Sequence, residues 1–133
     1  MSDTSAGLTY IAVIANFTDK EIKVRNHEVS REELHDPQSA FRANDLWFPW
    51  CENKGDYQKG RKISVGFTGT GGYDFYWLWE RSGQIYINSK DQFEDAVLVE
   101  PDPKGSGGYW KLLELKPAST GGYSIRIIDI KIN

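Results

Sequence analysis

Cysteine is almost absent from this chain of 133 residues, and its one thiol, Cys51, has no second thiol to pair with. An intrachain disulfide cannot form, so a disulfide-stapled secreted scaffold is excluded. Long hydrophobic runs are absent too, and none approaches the roughly 20 residues of a membrane-spanning helix. The N-terminal stretch is largely polar, without the apolar core of a signal peptide. We therefore expect a soluble protein that is cytoplasmic as synthesised and that would be released only by a non-standard route.

Basic charge is also in short supply, because 16 Lys and Arg residues stand against 19 Asp and Glu residues, for a formal net charge of −3. A nucleic-acid-binding domain usually carries a basic stripe, whereas the cations here are scattered along the chain. Residues 68–72 resemble a phosphate-binding loop in composition, but a strand rather than a helix is predicted to follow them. The sequence therefore predicts neither a nucleic-acid partner nor a nucleotide cofactor.

Groups suited to catalysis or metal binding are few, with only two histidines in the chain. Glu32 and His35 have a spacing that offers two metal ligands on a helix, but one such pair is too little for a metal centre. We interpret Cys51, next to Trp50, as a buried and inert thiol, since an activated thiol needs a nearby cation or base. We therefore expect no catalytic residues, no metal and no cofactor.

What the sequence has in abundance is glycine next to tyrosine. One four-residue word occurs three times, as Thr70-Gly71-Gly72-Tyr73, Ser106-Gly107-Gly108-Tyr109 and Thr120-Gly121-Gly122-Tyr123. Glycine supplies the positive φ that tight turns need and tyrosine favours strands, so each word predicts a turn that leads into a strand. The unequal spacing of the three words argues against a threefold repeat.

Alternating apolar residues predict further strands. Residues 11–17 are apolar on both faces, whereas residues 22–25 and 63–67 alternate between apolar and polar positions. We expect the first two of these segments to form an antiparallel hairpin around a turn at residues 18–20. A further alternation places four aromatic residues on one strand face, which we interpret as core or same-face partners: Tyr73, Phe75, Trp77 and Trp79.

Helix is almost absent from the pattern. Residues 27–46 have a few helical features, but Asp36-Pro37 would end a helix at once, so an irregular loop is expected there and a polar loop at residues 52–60. Seven to nine short strands with little helix are typical of an all-β protein. The chain is therefore predicted to be a single antiparallel β-sandwich domain over residues 1–133, with residues 1–7 flexible.

Aromatic residues make up 14% of the chain, including 5 tryptophans, which is more than a small core needs. Three of the tryptophans lie beside Pro, Gly, Ser or charged residues, in predicted loops or at strand ends. Indoles at such positions stack on sugar rings or sit at a lipid–water interface, although they also fit a second small core under the sandwich. The candidate ligand-binding residues are therefore Trp47, Trp50, Lys104, Tyr109 and Trp110, with Lys104 placed for an anionic phosphate.

Several segments of the chain resemble the aegerolysin family. Tyr10-Ile11-Ala12-Val13-Ile14-Ala15-Asn16, then Lys20-Glu21-Ile22-Lys23-Val24-Arg25-Asn26, then Leu34-His35 are similar in order and spacing to the start of that family. Residues 69–75, the Pro/Gly/Ser-rich residues 101–110 and the isoleucine-rich last strand are similar to its later parts.

The resemblance implies a β-sandwich without enzymatic activity that recognises membrane lipid headgroups, such as those of sphingolipids, often with a larger pore-forming partner protein. It gives the first hypothesis, a lipid-binding component of a pore-forming or toxin system. The second hypothesis is a lectin-type protein that binds a glycan. The third is a small β-barrel enzyme acting on a hydrophobic metabolite, with His35 and Glu32, or Asp74 and Tyr76, as acid–base pairs beside an interior pocket.

Overall fold

The structure is a computed structural model that describes residues 7–105 and 107–130, with all side chains of these ranges except those of Tyr109 and Trp110. Apart from Gly7, the segment predicted to be flexible lies outside the described residues. The strands are β1 (Thr9–Asn16), β2 (Ile22–Asn26), β3 (Arg31–His35), β4 (Ser39–Phe48), β5 (Ile63–Gly69), β6 (Gly72–Arg81), β7 (Gln84–Asn88), β8 (Val97–Leu98), β9 (Glu100–Pro101), β10 (Gly108–Pro117) and β11 (Tyr123–Asp129). A short helix, α1 (Lys54–Gln58), lies between β4 and β5.

The strands form two sheets that pack together. The first sheet has the order β4-β1-β10-β11-β9, and the second has the order β3-β2-β5-β6-β7-β8. The second sheet is antiparallel throughout its described pairs, whereas the first contains two parallel pairs, β1 with β10 and β11 with β9. The predicted all-β sandwich is confirmed, and the described residues hold eleven strands rather than seven to nine.

A shared apolar core lies between the two sheets. The first sheet contributes Ile11, Leu113 and Ile127 among others, and the second contributes Val65 and Leu78, all fully buried or nearly so. Because side chains alternate along a strand, each sheet turns one face to this core and the other away from it. The outer face of the second sheet is therefore free to carry residues with another role.

The predicted hairpin of the first two strands is wrong, because β1 and β2 belong to different sheets. The buried side chain of Asn16 explains the crossing between sheets. Its Oδ1 accepts from Thr18 N–H at 3.0 Å and Thr18 Oγ1–H at 2.6 Å, and its Nδ2 donates to the carbonyls of Lys20 at 2.8 Å and Asp36 at 3.0 Å. These bonds hold the chain in a bend that carries it to the opposite sheet.

The irregular loop predicted at residues 27–46 is also wrong, because the structure places β3 and β4 there. Both are edge strands, each hydrogen-bonded to one neighbour in its sheet. Most of their side chains are exposed, so no period-two apolar pattern marks them in the sequence. The predicted polar loop at 52–60 contains α1, where Asn53 Oδ1 accepts from the backbone N–H of Asp56 at 2.8 Å and caps the helix.

The Gly-Gly-Tyr words behave as predicted where the structure describes them. Two of them form the turns between β5 and β6 and between β10 and β11. Gly121 and Gly122 both have positive φ, 95° and 74°, which only glycine adopts without strain. The third word leads into β10 at Gly108, although Ser106 lies outside the described residues.

Candidate functional site

Trp50 lies where the chain crosses from the first sheet to the second. The backbone N–H of Cys51 donates to the carbonyl of Glu80 at 2.8 Å, and the N–H of Glu80 donates to the carbonyl of Pro49 at 2.9 Å. These two bonds tie the crossing segment to the end of β6, and Trp50 keeps 39% of its surface exposed. One edge of the indole covers Gly7, where a Cβ would lie 2.9 Å from Cζ2. The indole is therefore fixed in position and still open to solvent.

Trp47, near the end of β4, is only partly exposed, and its polar atom is already bonded. Its ring packs on Tyr10 of β1 with the centroids 5.8 Å apart. The indole Nε1–H donates to Glu28 Oε1 at 3.0 Å, and Glu28 lies in the turn between β2 and β3. Trp47 thus links the two sheets at their edge strands and offers less free surface than Trp50.

Lys104 stands on a loop that packs against the β6–β7 turn. The N–H of Gly105 donates to the carbonyl of Gly83 at 2.8 Å, and Lys104 forms a backbone bridge with Gln84. The N–H of Lys104 also donates to Asp102 Oδ1 at 3.1 Å. The backbone around Lys104 is therefore held by hydrogen bonds, while its side chain is exposed to solvent.

Tyr109 and Trp110 lie near the start of β10, and only their backbone is described. The N–H of Gly108 donates to the carbonyl of Leu8 at 2.8 Å, which ties the start of β10 to the start of β1. The structure does not describe the side chains of Tyr109 and Trp110, so their role in ligand binding stays a prediction.

The five predicted residues occupy one end of the sandwich, which we call the tryptophan end: Trp47, Trp50, Lys104 and the backbone of Tyr109 and Trp110. At this end the starts of β1 and β10 meet the ends of β4 and β6. Segments that are far apart along the chain therefore come together here. What they bind stays a prediction.

Beneath the tryptophan end lies a group of buried charges that has no signature in the sequence. Lys111 of β10 is fully buried and pairs with Asp102, and its Nζ lies 3.6 Å from Asp129 Oδ1. Glu80 is also buried, and its Oε1 has no hydrogen-bond partner among the described residues. Burial raises the pKa of the Glu80 carboxyl, against the opposing effects of a hydrogen bond from Thr9 and the charge of Lys111. The Lys111–Asp102 pair fastens the loop that carries Lys104 to the core of the first sheet.

A second surface lies on the outer face of the second sheet, outside the predicted site residues. Tyr73, Phe75 and Trp77 alternate along β6 there, with 5.6 Å between the centroids of each neighbouring pair and interplanar angles of 27° and 31°. Phe75 lies across Gly66 of β5, where a Cβ would be only 2.6 Å from Phe75 Cε1. Because Gly66 has no side chain, the rings form a continuous, partly exposed strip, which we call the aromatic row. The predicted same-face placement is confirmed, but the face points away from the core between the sheets.

Beyond Trp77, the same face of β6 is covered by a small second core. Trp79 is 1% exposed and packs against Tyr57 of α1 and against Phe93, with centroid distances of 5.1 and 5.8 Å. Cys51 is buried in this cluster, and burial raises the pKa of its thiol to about 12. The thiol is therefore protonated at neutral pH, in agreement with the inert role inferred for it.

Beside the second core opens a pocket of about 330 Å³, which we call the polar pocket. Lys62 lines it, with Nζ 3.2 Å from Asp91 Oδ1, 3.9 Å from the Tyr57 ring centroid and 5.5 Å from the Trp77 ring centroid. The Tyr57 hydroxyl donates to Asp91 Oδ1 at 2.6 Å. Partial burial raises the pKa of Asp91, but the bonds from Tyr57 and Lys62 outweigh it and hold that pKa below its usual range. The pocket therefore adjoins the aromatic row through Lys62 and contains a paired, ionised carboxylate.

The acid–base pair of the enzyme hypothesis that joins His35 to Glu32 is not formed. His35 Nε2 instead lies 2.6 Å from Glu33 Oε1, because neighbouring residues of β3 point to opposite faces. Tyr76 packs on the core residue Phe67 with a centroid distance of 5.8 Å, whereas Trp77 lies on the other face of β6. The interior pocket that would favour the enzyme hypothesis needs Tyr76 on the same side as Trp77 and Trp79, and the structure places Tyr76 on the opposite face of β6.

Within residues 7–105 and 107–130, no three His, Cys, Asp or Glu side chains are grouped so that they would hold a metal ion. In the same ranges, no helix has the length and apolar character needed to cross a membrane. No family model, curated protein or solved structure matches the chain. The resemblance to the aegerolysins therefore stays a prediction.

Proposed function

We propose that this chain is a non-catalytic binding module that recognises a membrane lipid headgroup through the tryptophan end. The main support for the proposal is that Trp50 and Lys104 lie at the same end of the sandwich. The indole of Trp50 is exposed but held by the crossing segment, and Lys104 is exposed but held by its loop. An aromatic ring and a cation that both project from hydrogen-bonded backbone need little rearrangement of the backbone when a ligand binds.

The chemistry of this surface matches phosphocholine, the zwitterionic headgroup of sphingomyelin and phosphatidylcholine. Quaternary ammonium groups bind on the faces of indole rings, and a lysine ammonium pairs with phosphate as a point charge. The carboxylates of Glu28 and Glu52 lie at the same end, bonded to Trp47 and Ser82. Arg61 Nε lies 3.8 Å from Glu28 Oε2 and offsets its charge, so the negative charge of Glu52 is the one that favours a headgroup with a cation over a purely anionic lipid.

The resemblance of residues 10–35 to the aegerolysins supports the same class of ligand. In a system of that kind the chain would supply lipid recognition, and a larger pore-forming protein would be its partner. The partner is a prediction from the resemblance alone, whereas the headgroup site also has support from the placement of Trp50 and Lys104.

Binding to vesicles tests the proposal. Vesicles of sphingomyelin, phosphatidylcholine and cholesterol should sediment the wild-type protein, whereas vesicles of phosphatidylglycerol should do so weakly. Trp50→Ala should lower the apparent affinity about tenfold or more, because the aromatic contact with the choline group is lost. Lys104→Gln should weaken binding less, since an exposed lysine loses one phosphate contact.

Phe41→Ala provides the matched control for these variants. Phe41 is 61% exposed and lies on β4 opposite Ile14, away from the tryptophan end. The Phe41→Ala variant should bind vesicles with the same affinity as the wild type. Absence of wild-type binding to sphingomyelin vesicles, or an equal loss in the Phe41 variant, would remove the lipid assignment. Binding of a lipid-free glycan that is lost with Trp50→Ala would instead assign this end to sugars.

A further inference from the structure

We propose that the aromatic row and the polar pocket form a second binding site, which takes an oligosaccharide that carries an acidic sugar. The site occupies the outer face of the second sheet and shares no residue with the tryptophan end. It is therefore independent of the lipid proposal, and each of the two can fail without the other.

The shape of the aromatic row suits a chain of sugar rings. Tyr73, Phe75 and Trp77 tilt by only 27° and 31° between neighbours, and Gly66 leaves room for Phe75 to lie across β5. A pyranose ring presents a patch of C–H bonds on one face, and this patch packs against an aromatic face. Three rings in one continuous strip extend this contact over successive sugars, where a single exposed ring would hold only one.

The groups around the row supply the hydrogen bonds that sugar hydroxyls require. Among the described residues, the Tyr73 hydroxyl and the Trp77 indole N–H have no hydrogen-bond partner. In the polar pocket, Asp91 uses Oδ1 for its bonds from Tyr57 and Lys62, which leaves Oδ2 for a ligand hydroxyl. The site thus combines aromatic faces with polar groups, which suits a ligand that has an apolar side and many hydroxyls.

The charge beside the row favours an acidic sugar. Lys23 and Arg25 alternate along β2 on the same outer face, and Lys23 Nζ lies 4.4 Å from the Tyr73 ring centroid. In the described ranges neither cation makes an ion pair, although Glu32 lies opposite Arg25 in the β2–β3 pair. The charge of Lys62, in contrast, is balanced by Asp91. The surplus positive charge along the row is placed for a carboxylate or sulfate on the sugar.

Single-stranded nucleic acid also stacks on aromatic rings of a sheet, but it fits this face less well. Such binding usually needs a groove of cations that follows the phosphate backbone. Here two unpaired cations lie on a chain whose formal net charge is −3. We therefore assign the face to an acidic oligosaccharide and keep an oligonucleotide as a competing outcome of the test.

A glycan array with paired acidic and neutral oligosaccharides, followed by calorimetry with the best pair, tests the assignment. The wild type should prefer the acidic member. Trp77→Ala and Phe75→Ala should each lower its affinity about tenfold, which corresponds to about 1.4 kcal/mol. Lys23→Gln should reduce the preference for the acidic member while binding of the neutral member persists.

Gly66→Ala separates a binding effect from a folding effect. The variant keeps every ring but adds a Cβ that Phe75 must move to accommodate. It should weaken sugar binding while the protein stays folded by circular dichroism, and Phe41→Ala, on the first sheet and outside both proposed sites, should bind sugar like the wild type. A silent array, or sugar binding that survives both Trp77→Ala and Gly66→Ala, would overturn the proposal. Oligonucleotide binding that is lost with Trp77→Ala would overturn it in favour of nucleic acid.

Discussion

At the scale of single residues, the buried carboxyl of Glu80 is a source of instability at neutral pH. Burial raises its pKa, so the folded state binds the proton more tightly than the unfolded chain does. The stabilising effect of Glu80 is therefore present below its ordinary pKa and is lost as pH rises through the raised value. We predict that Glu80→Gln increases the free energy of unfolding by about 1 kcal/mol at pH 7.5, because no charge is then buried.

Urea unfolding of both proteins at pH 7.5 and at pH 4 checks this prediction. The two stabilities should converge at the lower pH, where the carboxyl of Glu80 takes up a proton in both folded and unfolded states. A Gln variant that is less stable at pH 7.5 would show instead that the charge of Lys111 outweighs the cost of burial at this position.

The tryptophans show what residue type alone predicts and what it does not. An excess of indoles over core positions is visible in the composition, and Trp50 is exposed. Trp77 and Trp79 share one strand face, yet Trp79 is buried and Trp77 is half-buried. The difference comes from Phe93 and Tyr57, which other segments bring over Trp79. The residues around 77–79 do not indicate that Phe93 and Tyr57 pack over Trp79 but not over Trp77. The aromatic row was therefore not predicted as a surface.

At the scale of elements, Asn16 decides where β1 ends and where the chain goes next. Its side chain makes four hydrogen bonds, to Thr18, Lys20 and Asp36, in a buried position. We predict that Asn16→Ala lowers the free energy of unfolding by about 2–4 kcal/mol, since each lost bond contributes about 1 kcal/mol and buried partners stay unsatisfied. Urea titration followed by far-ultraviolet circular dichroism measures the loss.

Asn44→Ala is the control for the Asn16 variant. Asn44 is exposed on β4, and its side chain makes no hydrogen bond within the described part of the chain. Its replacement should change the free energy of unfolding by no more than about 0.5 kcal/mol. Equal losses in both variants would mean that the Asn16 bonds do not hold the crossing between the sheets.

The strand pairing illustrates how far local patterns reach. Apolar patterning predicted β1, β2 and β5, which pack an apolar face on the core, and β6, whose alternating rings lie on the outer face of its sheet. It also suggested that β1 pairs with β2, since adjacent strands in a sequence usually pair. The bend held by Asn16 sends β2 to the other sheet, and edge strands β3 and β4 lack an apolar pattern. Pairing partners are set by such distant contacts and not by periodicity.

At the scale of the whole molecule, the two sheets share one apolar core, and we expect them to unfold together for this reason. Composition and turn spacing were enough to predict a sandwich, since each sheet needs a second apolar face to cover it. They did not predict that β1 lies beside β10 in a parallel pair. That pair joins the beginning of the described chain to its later part, so the first sheet forms only when distant segments have met.

We therefore predict that a destabilising substitution in the core of one sheet also lowers the stability of the other sheet. Leu113 of β10 is fully buried and lies between Ile14 and Ile127 of the neighbouring strands. Leu113→Ala should lower the free energy of unfolding by about 2–5 kcal/mol. Native-state hydrogen exchange should show the same decrease at the amide of Val65 in β5, on the opposite sheet, because exchange there requires global opening. If Val65 keeps its protection while β1 and β10 lose theirs, the sheets open separately and the shared core does not couple them.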